Sequence, residues 1–235
     1  AILLSCDGET AIVDAGTPQC EEDLLSYLQS QNIGKPKYIF ATHPHADHIG
    51  SMAAVVDTFG CENFIMPEMV SYTQTFENML SSVEQAGCQT AYGVAGDTFT
   101  LGDAQLKLLW PTEGFDTSDP NEISLVLQVT YGEYSFLLTG DAGKDAEEGF
   151  LSQVQPVTVL KAGHHGSDTS STEAFLQKAQ PEYVVISVGA GNSYGHPSPA
   201  MLERLDENCQ VLRTDEKGSI VFTVKEGELH VSTAR

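Results

Sequence analysis

Four side chains able to bind a metal ion stand within six consecutive positions of this chain. They are His43, His45, Asp47 and His48, in the run Thr-His-Pro-His-Ala-Asp-His-Ile-Gly at 42–50. Imidazole and carboxylate at that density suit a divalent transition metal. One ion cannot easily take all four. His43 and His45, alternating on extended backbone, can reach one ion. Asp47 and His48, at the turn into a helix, can reach a second. The spacing therefore points to a two-metal centre with ions ~3.5–4 Å apart. Asp141 follows the β-like run 136–139, and its two carboxylate oxygens could bridge such a pair or cap the helix that follows. His164 and His165 lie in Lys-Ala-Gly-His-His-Gly-Ser (161–167), and His196 lies in Gly-Asn-Ser-Tyr-Gly-His-Pro (191–197). Of the seven histidines only His230 falls outside these three motifs, which marks it as a surface residue.

Each of these motifs follows an apolar run that reads as a strand. Residues 2–5 and 10–14 read as a hairpin, 37–42 as a buried strand and 63–66 as another. Helical periodicity covers 19–31, started by Pro18, and then 48–59 and 70–86. Segments 98–101 and 105–110 alternate like a second hairpin. The turn-rich stretch 111–120 is the best candidate boundary between two halves. Beyond it come β runs at 123–131 and 134–140, a helix at 144–152, a strand at 157–160, a helix at 171–179 and a strand at 182–188. A helix at 198–207 and strands at 210–213, 219–224 and 228–232 complete the chain. The class is α/β. Loops after the strands carry the ligand-type residues, as functional loops on a rigid scaffold tend to do.

Composition narrows the range of partners. The 235 residues, 41% hydrophobic, suffice for one large domain or two small ones with a substantial core. No segment approaches the ~18 apolar residues of a membrane span. The net charge is −22, from 33 acidic and 11 basic residues. Nucleic-acid binders usually show a basic face, so this balance disfavours a polynucleotide partner without excluding a local basic groove. Cys6, Cys20, Cys61, Cys88 and Cys209 are odd in number and widely spaced, which predicts ordinary thiols rather than a disulfide framework.

The motif at 43–48 resembles the His-x-His-x-Asp-His signature of the metallo-β-lactamase superfamily. Asp14 in Ala-Ile-Val-Asp-Ala-Gly, the run Leu-Leu-Thr-Gly-Asp ending at Asp141, and the His-His-Gly-Ser at 164–167 resemble its other motifs. The His-His-Gly-Ser, the Tyr-Gly-His-Pro at 194–197 and the run 121–127 resemble the branch containing the C-terminal domain of ComEC and phosphorylcholine esterases. The resemblance implies a four-layer αββα sandwich of two mixed β-sheets flanked by helices. It also implies a single domain, 1–235, of two pseudo-equivalent halves. Relatives in that branch carry a further N-terminal strand, so the start reads as truncated, with an upstream anchor or export signal removed and a membrane-attached bacterial parent. That points to an extracytoplasmic location, with a cytoplasmic one still open.

The resemblance implies His43, His45, Asp47, His48, Asp141 and His165 as metal ligands, with two divalent ions, Zn²⁺ or Mn²⁺, as cofactors. Either of His164 and His165 could be the ligand; the resemblance favours His165 and leaves His164 to line the pocket. Asp47, His164 and His196 are the candidate catalytic groups. Many family members have another histidine between the first motif and the bridging aspartate, and this chain has none between His48 and His164. Water, substrate or another residue, His196 among them, must complete the first site. The di-iron redox relatives carry Glu where His45 stands, which disfavours that role.

The implied activity is hydrolysis of an ester by metal-activated hydroxide, most simply a phosphodiesterase acting on a small phosphoester. A ComEC-like DNA nuclease and a metal-stabilised binding module with little turnover are the alternatives. Whichever holds, the donor set should retain metal through purification. Mass spectrometry should find a transition metal, and less than ~0.2 equivalents after reconstitution would rule the site out.

Overall fold

In this computed structural model, which describes residues 1–235, the chain divides into two compact units, Ala1–Leu125 and Val126–Arg235. The division falls after the 111–120 connection rather than within it.

The first unit begins with β1 (Ile2–Cys6) and β2 (Glu9–Val13), antiparallel and joined at Asp7-Gly8. Both turn residues have positive φ, 51° and 82°, the conformation a two-residue hairpin of this twist needs. Strands β3 (Tyr38–Phe40), β4 (Asn63–Met66) and β5 (Gln89–Tyr92) then add in parallel, giving the order β1-β2-β3-β4-β5. Ile12 pairs with Ile39 and Ile39 with Phe64, so the sheet centre is apolar. Helices α1 (Glu21–Ser30), α2 (Ala46–Ile49), α3 (Met52–Phe59) and α4 (Gln74–Gln85) supply the crossovers. Met52, Val55 and Val56 of α3, with Phe76, Met79 and Val83 of α4, recur at three- and four-residue spacing and are buried in one cluster with Ile12, Ile39 and Phe64. A second hairpin, β6 (Thr98–Leu101) and β7 (Ala104–Trp110), belongs to the same unit.

The predicted helix at 48–59 is two helices. The chain leaves helical geometry at Ser51 (φ −99°, ψ 9°), next to Gly50, where a Cβ would collide with the Ala46 carbonyl oxygen and the Pro18 ring. Strand β5 had no signal in the sequence: all its residues are exposed and do not alternate. What holds it is tertiary. Gln89 N–H donates to Glu62 O at 2.8 Å, and Cys61 and Cys88, just before β4 and β5, form a disulfide with Cα atoms 5.5 Å apart. This pairing corrects the expectation of unpaired thiols. The residue spacing did not reveal it because the strand that aligns the two cysteines was not legible. Cys6, Cys20 and Cys209 are free.

The second unit repeats the scheme. Strand β8 (Val126–Tyr131) is antiparallel to β9 (Tyr134–Leu138), and β10 (Val159–Lys161), β11 (Tyr183–Ile186) and β12 (Gln210–Arg213) follow in parallel, in the order β12-β11-β10-β9-β8. Phe136, Val159, Tyr183 and Gln210 stand in register. Helices α5 (Lys144–Phe150), α6 (Glu173–Ala179), α7 (Pro199–Leu202) and α8 (Thr214–Lys217) connect them. Phe150 and Phe175 meet edge-to-face at 5.6 Å, joining α5 to α6. A final antiparallel hairpin, β13 (Ile220–Lys225) and β14 (Glu228–Thr233), brings Phe222 against Phe136 and Tyr183. The helix predicted at 198–207 shrinks to the four residues of α7. No helix is long and apolar enough to cross a membrane.

The disulfide closes a loop of 27 residues, for which loop-closure entropy gives ~3.5 kcal/mol. Replacing both Cys61 and Cys88 by serine should therefore lower unfolding stability by about 2–4 kcal/mol. Urea denaturation with and without reductant measures this, and an unchanged midpoint in reductant would mean the two thiols are not joined.

Candidate functional site

Parallel strands deliver the ligand-type residues at their carboxyl ends, where the backbone leaves the sheet and side chains gather. In the first unit, β2 ends at Asp14 and β3 ends at Thr42-His43. Asp14 is buried, 6% exposed, with φ of 57°. Its Oδ1 accepts from Thr42 N–H at 2.8 Å, and its Oδ2 accepts from the Thr42 hydroxyl at 2.8 Å and from His48 Nδ1 at 2.7 Å. Burial opposes ionisation of Asp14, but His48, His43 and the Thr42 amide together hold its carboxyl below the ordinary aspartate range.

These bonds settle which ring nitrogens carry protons. A carboxylate only accepts, so His48 Nδ1 must donate to it. The Thr42 hydroxyl has given its one hydrogen to Asp14 and therefore accepts from His43 Nδ1, at 3.1 Å. A neutral imidazole bonded in this way carries its acceptor nitrogen at Nε2, the form in which histidine binds a metal. His43 and His48 are buried, with ring centroids 4.1 Å apart. His43 Nε2 lies 3.2 Å from His45 Nδ1. That contact is a hydrogen bond between the two rings, and its length is also close to the ~3.3 Å between two nitrogens bound to one tetrahedral ion. Asp47 is exposed on the first turn of α2, one residue before His48.

In the second unit, β9 leads to Asp141 and β10 to the paired histidines. Extended backbone was expected at His164 and His165. Instead both adopt left-handed conformations, with φ of 46° and 55°, in a tight turn at 163–166. Two adjacent non-glycine residues in that region are strained and need support from their surroundings. Support comes from several directions. Ser170 Oγ donates to Gly163 O at 2.7 Å, and Arg204 donates to the carbonyls of Ser170 and Asp168, each at 3.0 Å. Buried Glu147 of α5 accepts from Ser171 N–H and from the amide and hydroxyl of Thr172. A Cβ at Gly166 would stand 2.8 Å from Pro197, so only glycine lets the 187–197 loop close on this turn.

The turn gives the two histidines different tasks. His165 Nδ1 donates to Ser187 O at 2.7 Å, which turns Nε2 towards Asp141 Oδ2 at 3.4 Å, a spacing that two ligands on one ion also have. His164 Nε2 stands farther from the same oxygen, at 3.9 Å, and its Nδ1 is 3.4 Å from Thr169 Oγ1. Burial pushes the His164 pKa down, and the charges of His165, His196 and Lys161 add to this against the pull of Asp141. His196 packs edge-on to His164, with centroids 5.9 Å apart. Sequence reasoning missed the role of Lys161. It is buried, and its Nζ donates to Gly140 O at 2.7 Å and Ala162 O at 3.1 Å, 3.9 Å from Asp141 Oδ1. It fixes the turn that carries Asp141. His230 is exposed on β14, in neither cluster.

A family model described as "Metallo-beta-lactamase superfamily" matches residues 1–190. The chain belongs to the metallo-β-lactamase superfamily. Among curated relatives, ComE operon protein 3 of Bacillus subtilis is 32% identical over 208 residues, covering 87% of this chain and 27% of that protein. Recombination protein 2 of Haemophilus influenzae is 27% identical over 241 residues, 100% of this chain and 29% of that protein. The chain thus spans under a third of the length of these relatives, and it sits in a ComEC-like branch of the metallo-β-lactamase superfamily. The crystal structure of the metallo-β-lactamase fold protein YhfI from Bacillus subtilis superposes with a TM-score of 0.60, over 98% of this chain and 90% of that one, at 11% identity. That likeness shows the fold: mixed α/β, with two main mixed sheets flanked by helices. Membership in the superfamily makes this a metal-dependent hydrolase.

Asp14→Asn tests how the first cluster is built. Asparagine tolerates positive φ nearly as well as aspartate, so the backbone is kept while the charge and one of the two acceptor oxygens are lost. The substitution should let His48 rotate or change tautomer and weaken metal affinity ~10–100-fold, as loss of a ligand's orienting carboxylate does. Metal titration by calorimetry measures this; unchanged affinity would show that Asp14 does not orient a ligand.

Proposed function

We propose that this chain is a two-metal phosphodiesterase for small substrates. Asp47, His48, Asp141 and His165, ligands that the superfamily's pattern implies, would hold one divalent ion. His43 and His45 would begin the other site, with Asp141 as the bridge. The observation that carries this reading is that Nδ1 of His43, His48 and His165 is in each case held by an oxygen acceptor, the orientation in which a histidine offers Nε2 to a metal. Zn²⁺ or Mn²⁺ suits such donors, and ions there would lower the pKa of a water and draw charge off a phosphoryl oxygen.

The chain's own groups supply the rest. His164, kept neutral, can donate to a phosphoryl oxygen as charge builds on it. His196, beside it, is placed to give a proton to the departing ester oxygen. The water gives up one proton to solvent, its oxygen joins phosphorus as the bond to the leaving oxygen breaks, and that oxygen takes a proton from His196, which regains one from solvent. Buried Lys161 and half-buried Arg204 donate to backbone carbonyls, which leaves few cations for a polynucleotide track. The relatives' names, a competence operon protein and a recombination protein, favour DNA cleavage as the second reading. The net charge of −22 ranks it lower. The disulfide favours an oxidising, extracytoplasmic location, and the competence relatives favour a membrane-attached parent.

Metal-loaded protein should hydrolyse small activated phosphodiesters. Asp141→Asn should cost at least ~10²-fold in kcat/KM with loss of one metal equivalent, while His230→Ala changes little. Equal effects of the two substitutions would contradict the assignment. Any DNA cleavage should be weak and vanish by moderate salt. Fast, salt-resistant digestion of single-stranded DNA would reverse the ranking.

A further inference from the structure

From buried to exposed, the second unit sets out four side chains in order: Asp141, His164, His196 and Tyr194. His164 Nε2 is 3.9 Å from Asp141 Oδ2, the His164 and His196 rings are 5.9 Å apart, and Tyr194 lies nearly parallel to His196, at 6.0 Å and 14°. Tyr194 is 82% exposed, so one face of a large ring is left open to water. The loop beneath it is not slack. Asn192 grips the backbone of His196 at both ends, accepting from its N–H at 3.0 Å and donating to its carbonyl at 2.7 Å. An aromatic ring on an anchored loop binds at lower ordering cost than a free one.

We propose that Tyr194 is a stacking platform that makes this site selective for phosphodiesters bearing a planar aromatic base, that is, nucleoside esters. The inference rests on the phosphodiesterase reading above and names its substrate class. With phosphorus held beside Asp141 and His164, one ester arm runs outward past His196 to Tyr194. An anionic arm finds no cation there, since Lys161 is buried and bonded to two carbonyls. A quaternary ammonium arm is held best by a cage of several rings, and here Tyr194 stands over a single imidazole. A flat base needs only one open π face.

The test compares two substrates with the same chromophoric leaving group, thymidine 5′-(p-nitrophenyl phosphate) and methyl p-nitrophenyl phosphate, on metal-loaded full chain. The wild type should favour the thymidine ester ~10-fold or more in kcat/KM, the worth of one base–aromatic stack. The preference should sit in KM, collapse towards one in Tyr194→Ala and survive in Tyr194→Phe. Tyr194 is exposed, so neither change endangers folding. No turnover of either ester by the wild type would overturn the phosphodiesterase reading itself. Turnover of both without preference, or a preference that survives Tyr194→Ala, would overturn the platform alone. So would stronger turnover of p-nitrophenyl phosphocholine, lost in Tyr194→Ala, which would make the ring a cation site.

Discussion

A buried carboxylate must be satisfied or it destabilises the fold, and Asp14 is the clearest case here. It sits at the end of β2 with both oxygens occupied by Thr42 and His48. That one residue joins a strand end, the start of the histidine loop and the short helix α2. The backbone follows the same path: Asp14 N–H donates to Phe40 O at 2.9 Å and Ala15 N–H to His48 O at 2.7 Å. The histidine loop therefore cannot move without exposing a buried charge. Preorganisation of the ligands and stability of the first sheet have a common cause.

The second unit solves the same problem with different partners. In each unit an antiparallel hairpin is followed by parallel strands. In each, an aspartate follows the hairpin's second strand and histidines follow the next strand: Asp14 and His43–His48 after β2 and β3, Asp141 and His164–His165 after β9 and β10. The two aspartates have diverged in task. Asp14 points at the proton-bearing side of its histidine, Nδ1, whereas Asp141 lies on the Nε2 side of His165. The orienting acceptor that Asp14 provides is replaced for His165 by a backbone carbonyl, Ser187 O. A buried lysine and the Thr139 hydroxyl steady the Asp141 turn, Lys161 Nζ donating to Gly140 O and Thr139 Oγ1 to Lys161 O. One topology thus yields one orienting and one ligand-type carboxylate.

Strain is concentrated where the second cluster needs it. Consecutive left-handed residues at His164 and His165 point the adjacent rings in different directions, with an interplanar angle of 67°. A strand could also diverge them, but only across a sheet, one to each face. The turn keeps both at the strand's end, and the carbonyl network through Ser170, Arg204 and Glu147 offsets the cost.

The ligand-type residues were legible in the sequence because metal chemistry calls for a dense local pattern, and four such side chains stand in six positions at 43–48. The strands were legible too, from apolar runs and hairpin turns. Edge strand β5 was not, because exposed residues without alternation carry no periodic signal, and the Cys61–Cys88 disulfide was hidden with it. The close approach of Pro18 to Gly50, beside the break at Ser51, is a contact distant in sequence. Tautomers were beyond the sequence altogether. Whether His43, His48 and His165 present Nε2 depends on Thr42, Asp14 and Ser187 standing within hydrogen-bond reach, and only packing decides that. The sequence determined which atoms could bind a metal; the tertiary structure decided which of them carry the proton.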